Sequence, residues 1–146
     1  MMTSSIDEMD LKIMQKLQQN GRITAAQLSK ELNLSAPSIR ERIIRLEESG
    51  VITGYSAIFN WAKLDRSMTT FIMVKTERCQ EIVDFCEQAL EVTDLHRISG
   101  EYNYMIKVQT SSMQELANFQ ERLVQFGPSK SQVSMKNIIE DRHNLL

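Results

Sequence analysis

The sequence predicts an α+β chain, with an N-terminal (winged) helix-turn-helix domain followed by a C-terminal ferredoxin-like βαββαβ domain. Three observations predict it. Three capped helical periodicities crowd residues 7–49. After residue 67 the pattern becomes strand, helix, strand, strand, helix, strand. Charge divides the chain the same way: residues 22–46 hold five basic side chains (Arg22, Lys30, Arg40, Arg42, Arg45) against two acidic ones (Glu31, Glu41), whereas residues 67–146 hold eight basic and eleven acidic. A locally basic segment on an acidic remainder fits a molecule of which one part meets phosphate, which makes double-stranded DNA the expected partner.

The first helix is expected over residues 7–19, where Ile6, Met9, Ile13, Met14 and Leu17 recur at three- and four-residue intervals and Asp7 can cap the first turn. Asn20-Gly21 stops it, with Gly21 free to take the left-handed conformation of a helix exit. Thr24 and Gln27 form a capping box that opens a second helix to Leu32. Asn33-Leu34 makes the turn, and Asn33 tolerates positive φ. Ser35 caps a third helix, which Pro37 tolerates in its first turn and which runs to about Ser49 before Gly50. Residues 51–59 alternate partly and are expected to run extended out of the head.

The second half alternates differently. Residues 69–76 suit a strand with a buried middle, and residues 80–90 an amphipathic helix. Short strands are expected at 95–99 and 104–110, a capped helix from Ser111-Ser112 to Phe126, and a last strand at 132–139 after Gly127-Pro128. The expected domains are 1–54 (head), 55–67 (extended linker) and 68–146 (oligomerisation and effector module).

Several function classes are disfavoured. No stretch approaches the ~18 apolar residues of a membrane span, and the N-terminus lacks a basic start and an apolar run, so a cytoplasmic protein with no membrane partner is expected. Cys79 and Cys86, seven apart on one predicted helix, read as reduced thiols, with no second Cys or His cluster to complete a metal site. An enzyme needs convergent acid, base or nucleophile groups; His96 has no recognised partner motif and His143 falls in the C-terminal tail, so no catalytic residue and no required cofactor are expected.

On a helical wheel Ile39, Ile43 and Leu46 of the third helix cluster within about 60° and face inward. Opposite lie Pro37, Ser38, Glu41, Arg45 and Glu48, flanked by Arg40 and Arg42. A major groove admits such a helix, and Ser38 can reach a base edge while Arg42 and Arg45 take phosphate or guanine. Equally, Glu41 and Arg45 make an i,i+4 pair that needs no ligand, and Ile44 suits either packing or a thymine methyl. Ser35, Arg22 and Lys30 complete the expected DNA-contacting set.

The residues from Ile6-Asp7 to Leu17, Gly21-Arg22-Ile23, Leu28-Ser29, Leu34-Ser35, Arg42, Arg45-Leu46-Glu47 and Gly50-Val51-Ile52-Thr53-Gly54-Tyr55 together resemble the Lrp/AsnC, or feast/famine, regulators. His96-Arg97-Ile98-Ser99-Gly100-Glu101-Tyr102-Asn103-Tyr104 is similar to that family's strand-turn-strand motif, Ser-Gly-Asp-Tyr/Phe-Asp-Tyr. The resemblance covers essentially the whole chain. It implies a helix-turn-helix over residues 25–44, control of amino-acid metabolism genes, and homodimers that pair through the C-terminal sheets and assemble to tetramers, octamers or larger. It also implies an amino-acid effector held between dimers, with Ser99, Gly100, Tyr102, Asn103, Ser134 and Met135 as candidates. Two departures bear on that effector. Asn103 replaces the motif's second acid, keeping hydrogen bonding but losing the charge that would pair an α-ammonium. Lys136-Asn137 interrupts the last strand, where Lys136 suits either a carboxylate ligand or edge protection. Alternatives from other classes are a DNA-wrapping architectural protein without an effector, and a ligand sensor whose head binds protein.

Overall fold

The computed structural model describes residues 6–140, and within these the chain divides into two compact units, residues 6–58 with 139–140 and residues 59–138. In the first unit α1 spans Glu8–Gln19, α2 Ala25–Leu32 and α3 Ala36–Glu48. Each starts where a polar side chain satisfies amides that a helix leaves without partners. The Asp7 carboxylate accepts from the Asp10 amide at 2.8 Å and the Asp10 carboxylate accepts from the Asp7 amide at 3.1 Å. Thr24 and Gln27 form the same reciprocal box, and Ser35 Oγ accepts from the Ser38 amide at 3.3 Å. Asn33 takes φ 54° between α2 and α3, as its tolerance of the left-handed region predicts. The core takes one fully buried residue from each helix, Ile13, Leu28 and Ile39.

The exit of α1 differs from expectation. Gly21 is not in the left-handed region; Asn20 ends the helix in an extended conformation, and its side chain and carbonyl accept from the Arg22 and Ile23 amides, both at 3.0 Å. Gly50 does close α3 with φ 73°. Beyond it the head holds no strand among the described residues, and residues 53–60 form no regular element.

In the second unit β1 spans Met68–Val74, α4 Cys79–Gln88, β2 Val92–Arg97, β3 Tyr104–Thr110, α5 Met113–Leu123 and β4 Ser129–Val133. A 3-10 turn, Trp61–Leu64, precedes β1 in the stretch expected to be plain linker, because the Asn60 side chain caps it through the Lys63 amide. The four strands form one antiparallel sheet in the order β2-β3-β1-β4, the split βαβ arrangement. Alternation along the central strands sends Ile72, Val74, Tyr104, Ile106 and Val108 into the core, where they meet Ile82, Cys86, Leu116, Phe119 and Leu123.

The last strand is displaced from 132–139 to Ser129–Val133. The apolar residues that suggested the later position, Met135, Ile138 and Ile139, are 95%, 85% and 66% exposed. The strand instead starts directly after Gly127-Pro128, where the Pro128 carbonyl accepts from the Lys75 amide at 2.9 Å and continues the β1 ladder. Gly127 has φ 133°, and a Cβ there would lie 2.3 Å from the Lys75 carbonyl oxygen. Only glycine allows that approach. Because β4 is an edge strand with a single half-buried residue, Ser131, it needs no apolar pattern.

Candidate nucleic-acid interface and effector pocket

The outward face of α3 forms the wall of a shallow concavity of about 430 Å³ lined by Ser38, Glu41, Arg42, Ile44, Arg45 and Glu48. Ile44 is 51% exposed, so the face presents one apolar side chain among polar ones. Pro37, Arg40 and Glu41 are exposed and Ser38 is half-buried. Ser35 is committed to capping, through its bond from the Ser38 amide.

Arg42 and Arg45 occupy a place the wheel does not reveal. Arg42 Nη1 donates to Asp7 Oδ2 at 2.7 Å and to Asp10 Oδ1 at 2.8 Å, and Arg45 Nη2 donates to Asp10 Oδ1 and Oδ2 at 3.0 and 2.8 Å. Both guanidiniums therefore close the α1–α3 seam, and the expected Glu41–Arg45 pair is absent among the described residues. The Arg42 guanidinium holds the Asp7 carboxyl below its ordinary value of 3.8, helped by the Asp10 amide, and the Asp7 and Asp10 carboxylates in turn raise Arg42. Sequence reasoning missed Asp7 and Asp10 as partners of α3 because they are 32 to 35 residues away. Arg22, Lys30 and Arg40 are exposed and carry no ion pair with a described residue. Tyr55 OH donates to Glu47 Oε1 at 2.8 Å, and burial with that carboxylate raises the phenol to about 12.

In the second unit a larger concavity, about 640 Å³, opens at the end of the sheet. Gly100 and Asn103 of the candidate effector set line it, whereas Ser99, Tyr102, Ser134 and Met135 do not. Gly100 takes φ 113° in the β2–β3 turn. The Asn103 amide is spent on the backbone: its Oδ1 accepts from the Thr76 amide at 2.9 Å and its Nδ2 donates to the Thr76 carbonyl at 2.7 Å. Its main chain is bound too, donating to the Val74 carbonyl and accepting from the Ile98 amide, both at 3.0 Å. A carboxylate cannot donate to Thr76, so asparagine at this motif position clasps the β2–β3 turn to the end of β1. Lys75, Glu77, Arg78 and Glu101 supply the charged rim; Glu101 stands in the motif read from the sequence, whereas Lys75, Glu77 and Arg78 escaped that reading, and Lys75 and Glu77 flank the clasped Thr76. Arg78 is held by Glu81, by the Gln125 carbonyl at 2.8 Å and by the Phe126 ring at 5.2 Å. Ser134 Oγ donates to Asn137 Oδ1 at 3.0 Å. Lys136 is exposed beyond the end of β4.

Both cysteines are free thiols; burial pushes Cys86 up to about 11, and Arg97 Nη1 donates to Cys79 Sγ at 3.5 Å. His96 is exposed on β2, and His143 lies outside the described residues. Among the described residues no three His, Cys, Asp or Glu side chains are grouped to hold a metal, and no helix is long and apolar enough to cross a membrane.

A winged helix-turn-helix DNA-binding family model matches residues 6–53, and an Lrp/AsnC ligand binding domain model matches residues 69–143. The HTH-type transcriptional regulator YezC of Bacillus subtilis is 42% identical over 114 residues, covering 78% of this chain and 82% of its own. The leucine-responsive regulatory protein of Haemophilus influenzae is 35% identical over 116 residues, covering 76% and 70%. Among solved structures, Bacillus subtilis LrpC superposes with a TM-score of 0.88 at 21% identity, covering 94% of this chain and 99% of that one. A transcriptional regulator from Neisseria meningitidis in complex with L-Met gives 0.88 at 24% identity, covering 93% and 94%, so both share the fold. The relatives are regulators, not enzymes. With both halves matched in order, a DNA-binding head and then a ligand-binding module, the chain belongs to the Lrp/AsnC family of DNA-binding transcriptional regulators.

Proposed function

We propose that this regulator controls genes of amino-acid metabolism in the cytoplasm, that an amino acid tunes it, and that it works as a homodimer assembling into tetramers, octamers or larger rings. One observation carries the effector reading. The concavity at the Gly100 turn brings cations (Lys75, Arg78) and carboxylates (Glu77, Glu101) to one rim, and a zwitterion needs both signs. Asn103 serves here as the clasp that shapes the wall, and Glu101 and Glu77 are the groups available to an α-ammonium. The L-Met complex of the Neisseria regulator supports an amino acid as the ligand class.

At the head, the reading that fits the geometry places α3 in the major groove. Ser38 and Glu41 face base edges, with Pro37 and Ile44 as apolar contacts, while Arg22, Lys30 and Arg40 meet phosphates. Ser35 contributes by fixing the start of α3. A mobility-shift titration with promoter fragments, including its own, tests the head. A low-salt shift that weakens with Arg22→Ala, Lys30→Ala and Arg40→Ala is expected; loss of no affinity in all three sinks this phosphate set. Thermal shift against the twenty amino acids, with sedimentation of the positives, tests the rest. One or more amino acids should raise the midpoint, and Glu101→Ala should abolish that response; no rise with any of them overturns the effector reading.

A further inference from the structure

Over residues 6–54 the head carries seven Lys and Arg against seven Asp and Glu, a neutral total for a domain that meets a polyanion. Four of the seven cations are already engaged: Lys12 with Glu8, Lys16 with Glu31, Arg42 with Asp7 and Asp10, and Arg45 with Asp10. The last two are the cations most central on α3, and both end on one carboxylate.

Asp10 is 1% exposed, while the Arg42 and Arg45 side chains retain 25% and 46% of their exposure. A carboxylate so deeply placed is costly unless cations and hydrogen bonds satisfy its oxygens. Its two oxygens take one bond from Arg42 Nη1, two from Arg45 Nη2 and one from the Asp7 amide. Moving either arginine to a phosphate would exchange a charge-assisted bond in a shielded seam for one at a solvent-washed surface, and would strand part of a buried charge. The exchange is unfavourable at each step.

We propose that Asp10 is a specificity-determining positioning residue of the DNA interface: it holds Arg42 and Arg45 off the phosphates. The head then approaches DNA with Arg22, Lys30 and Arg40, the cations that pair with no described residue, and Glu41 and Glu48 stand on the same outward face of α3. Non-specific attraction is low by construction, and a larger share of affinity must come from base edges. The inference rests on the reading that α3 enters the groove.

The test measures binding of the full-length protein to a duplex of arbitrary sequence over a salt series. Asp10→Asn keeps the shape and the acceptor for the Asp7 amide but removes the charge that retains the arginines. It should steepen the dependence of log K on log salt by ~1–2, one increment of ~0.9 for each arginine that reaches a phosphate, and tighten binding roughly tenfold near physiological salt. Arg42→Ala and Arg45→Ala in the wild-type background should leave the slope unchanged. The triple variant Asp10→Asn/Arg42→Ala/Arg45→Ala should return to the wild-type slope, which a merely looser head or the simple loss of one negative charge would not produce. A slope that falls by ~1 in either single arginine variant, or a triple variant as steep as Asp10→Asn, overturns the proposal. A shift in wild type with an unchanged slope in Asp10→Asn overturns only the role of Asp10. No shift in either protein overturns the groove reading as well.

Discussion

In the head, one fully buried side chain from each helix makes the core, and the seam between α1 and α3 is finished by ions. In the C-terminal module twelve buried residues, from β1, β3, α4, α5 and the ends of the two helices, interlock on one side of a sheet, and the ion pairs lie at its surface. Apolar burial scales with area and is not weakened by ionic screening, whereas a seam closed by carboxylates and guanidiniums answers to both screening and pH. The head is therefore expected to be the weaker and more condition-dependent unit, which suits the part that must accommodate a charged partner.

The comparison can be broken most directly at its cores. Phe119→Ala removes a fully buried ring from the module and should cost about 3–5 kcal/mol; Ile39→Ala should cost the head about 2–5 kcal/mol. Calorimetry with far-UV circular dichroism should show Ile39→Ala losing the head's helical signal first, while Phe119→Ala shifts the sheet's transition. A single transition lowered by both would show that the two units unfold as one cooperative body, which would break the comparison. Gly127→Ala comes next. The added methyl meets the Lys75 carbonyl at 2.3 Å and a φ that L residues avoid, so the β1–β4 register should loosen at a cost of about 1–3 kcal/mol. Hydrogen exchange at the Lys75 amide reads it directly.

A smaller effect is expected at the Thr76 clasp. Asn103→Asp removes the donor to the Thr76 carbonyl and brings a negative charge toward it, for about 1 kcal/mol, visible as a lowered midpoint of the module alone. The smallest belongs to Asp7. Its folded-state value is depressed by Arg42, so its contribution is present above the ordinary value of 3.8 and is lost as pH falls through the lower folded value. Acid titration should destabilise the head in that window, and Asp7→Asn, which keeps the helix cap, should remove that part of the dependence.

What the sequence disclosed and what it withheld follow the distance between interacting residues. Asp7, Thr24, Ser35 and Ser112 were legible as caps because each partner lies three residues on, within reach of any scan. The order of strands and helices was legible because buried central strands and amphipathic helices impose periods of about 2 and 3.6. β4 was displaced because an edge strand carries little apolar signal, while the exposed Met135, Ile138 and Ile139 supplied a false one. Arg42 and Arg45 were placed on the right helix, but their bonds to Asp7 and Asp10 were not foreseen. A wheel reports the angle of a side chain about its own axis and knows nothing of Asp10 on a different helix. Asn103 was singled out as the departure from the family motif; that its amide would span to Thr76 was beyond a reading of adjacent residues.

The Thr76–Asn103 clasp also has a consequence in time. Its partners are 27 residues apart, at adjoining ends of the two central strands, and the clasp is expected to close once β1 and β3 have found register along Met68–Val74 and Tyr104–Thr110. An interaction that closes after the rate-limiting step contributes to the lifetime of the native module and not to the speed with which it forms. Weakening the clasp should thus leave the refolding limb of a chevron plot in place and raise the unfolding limb.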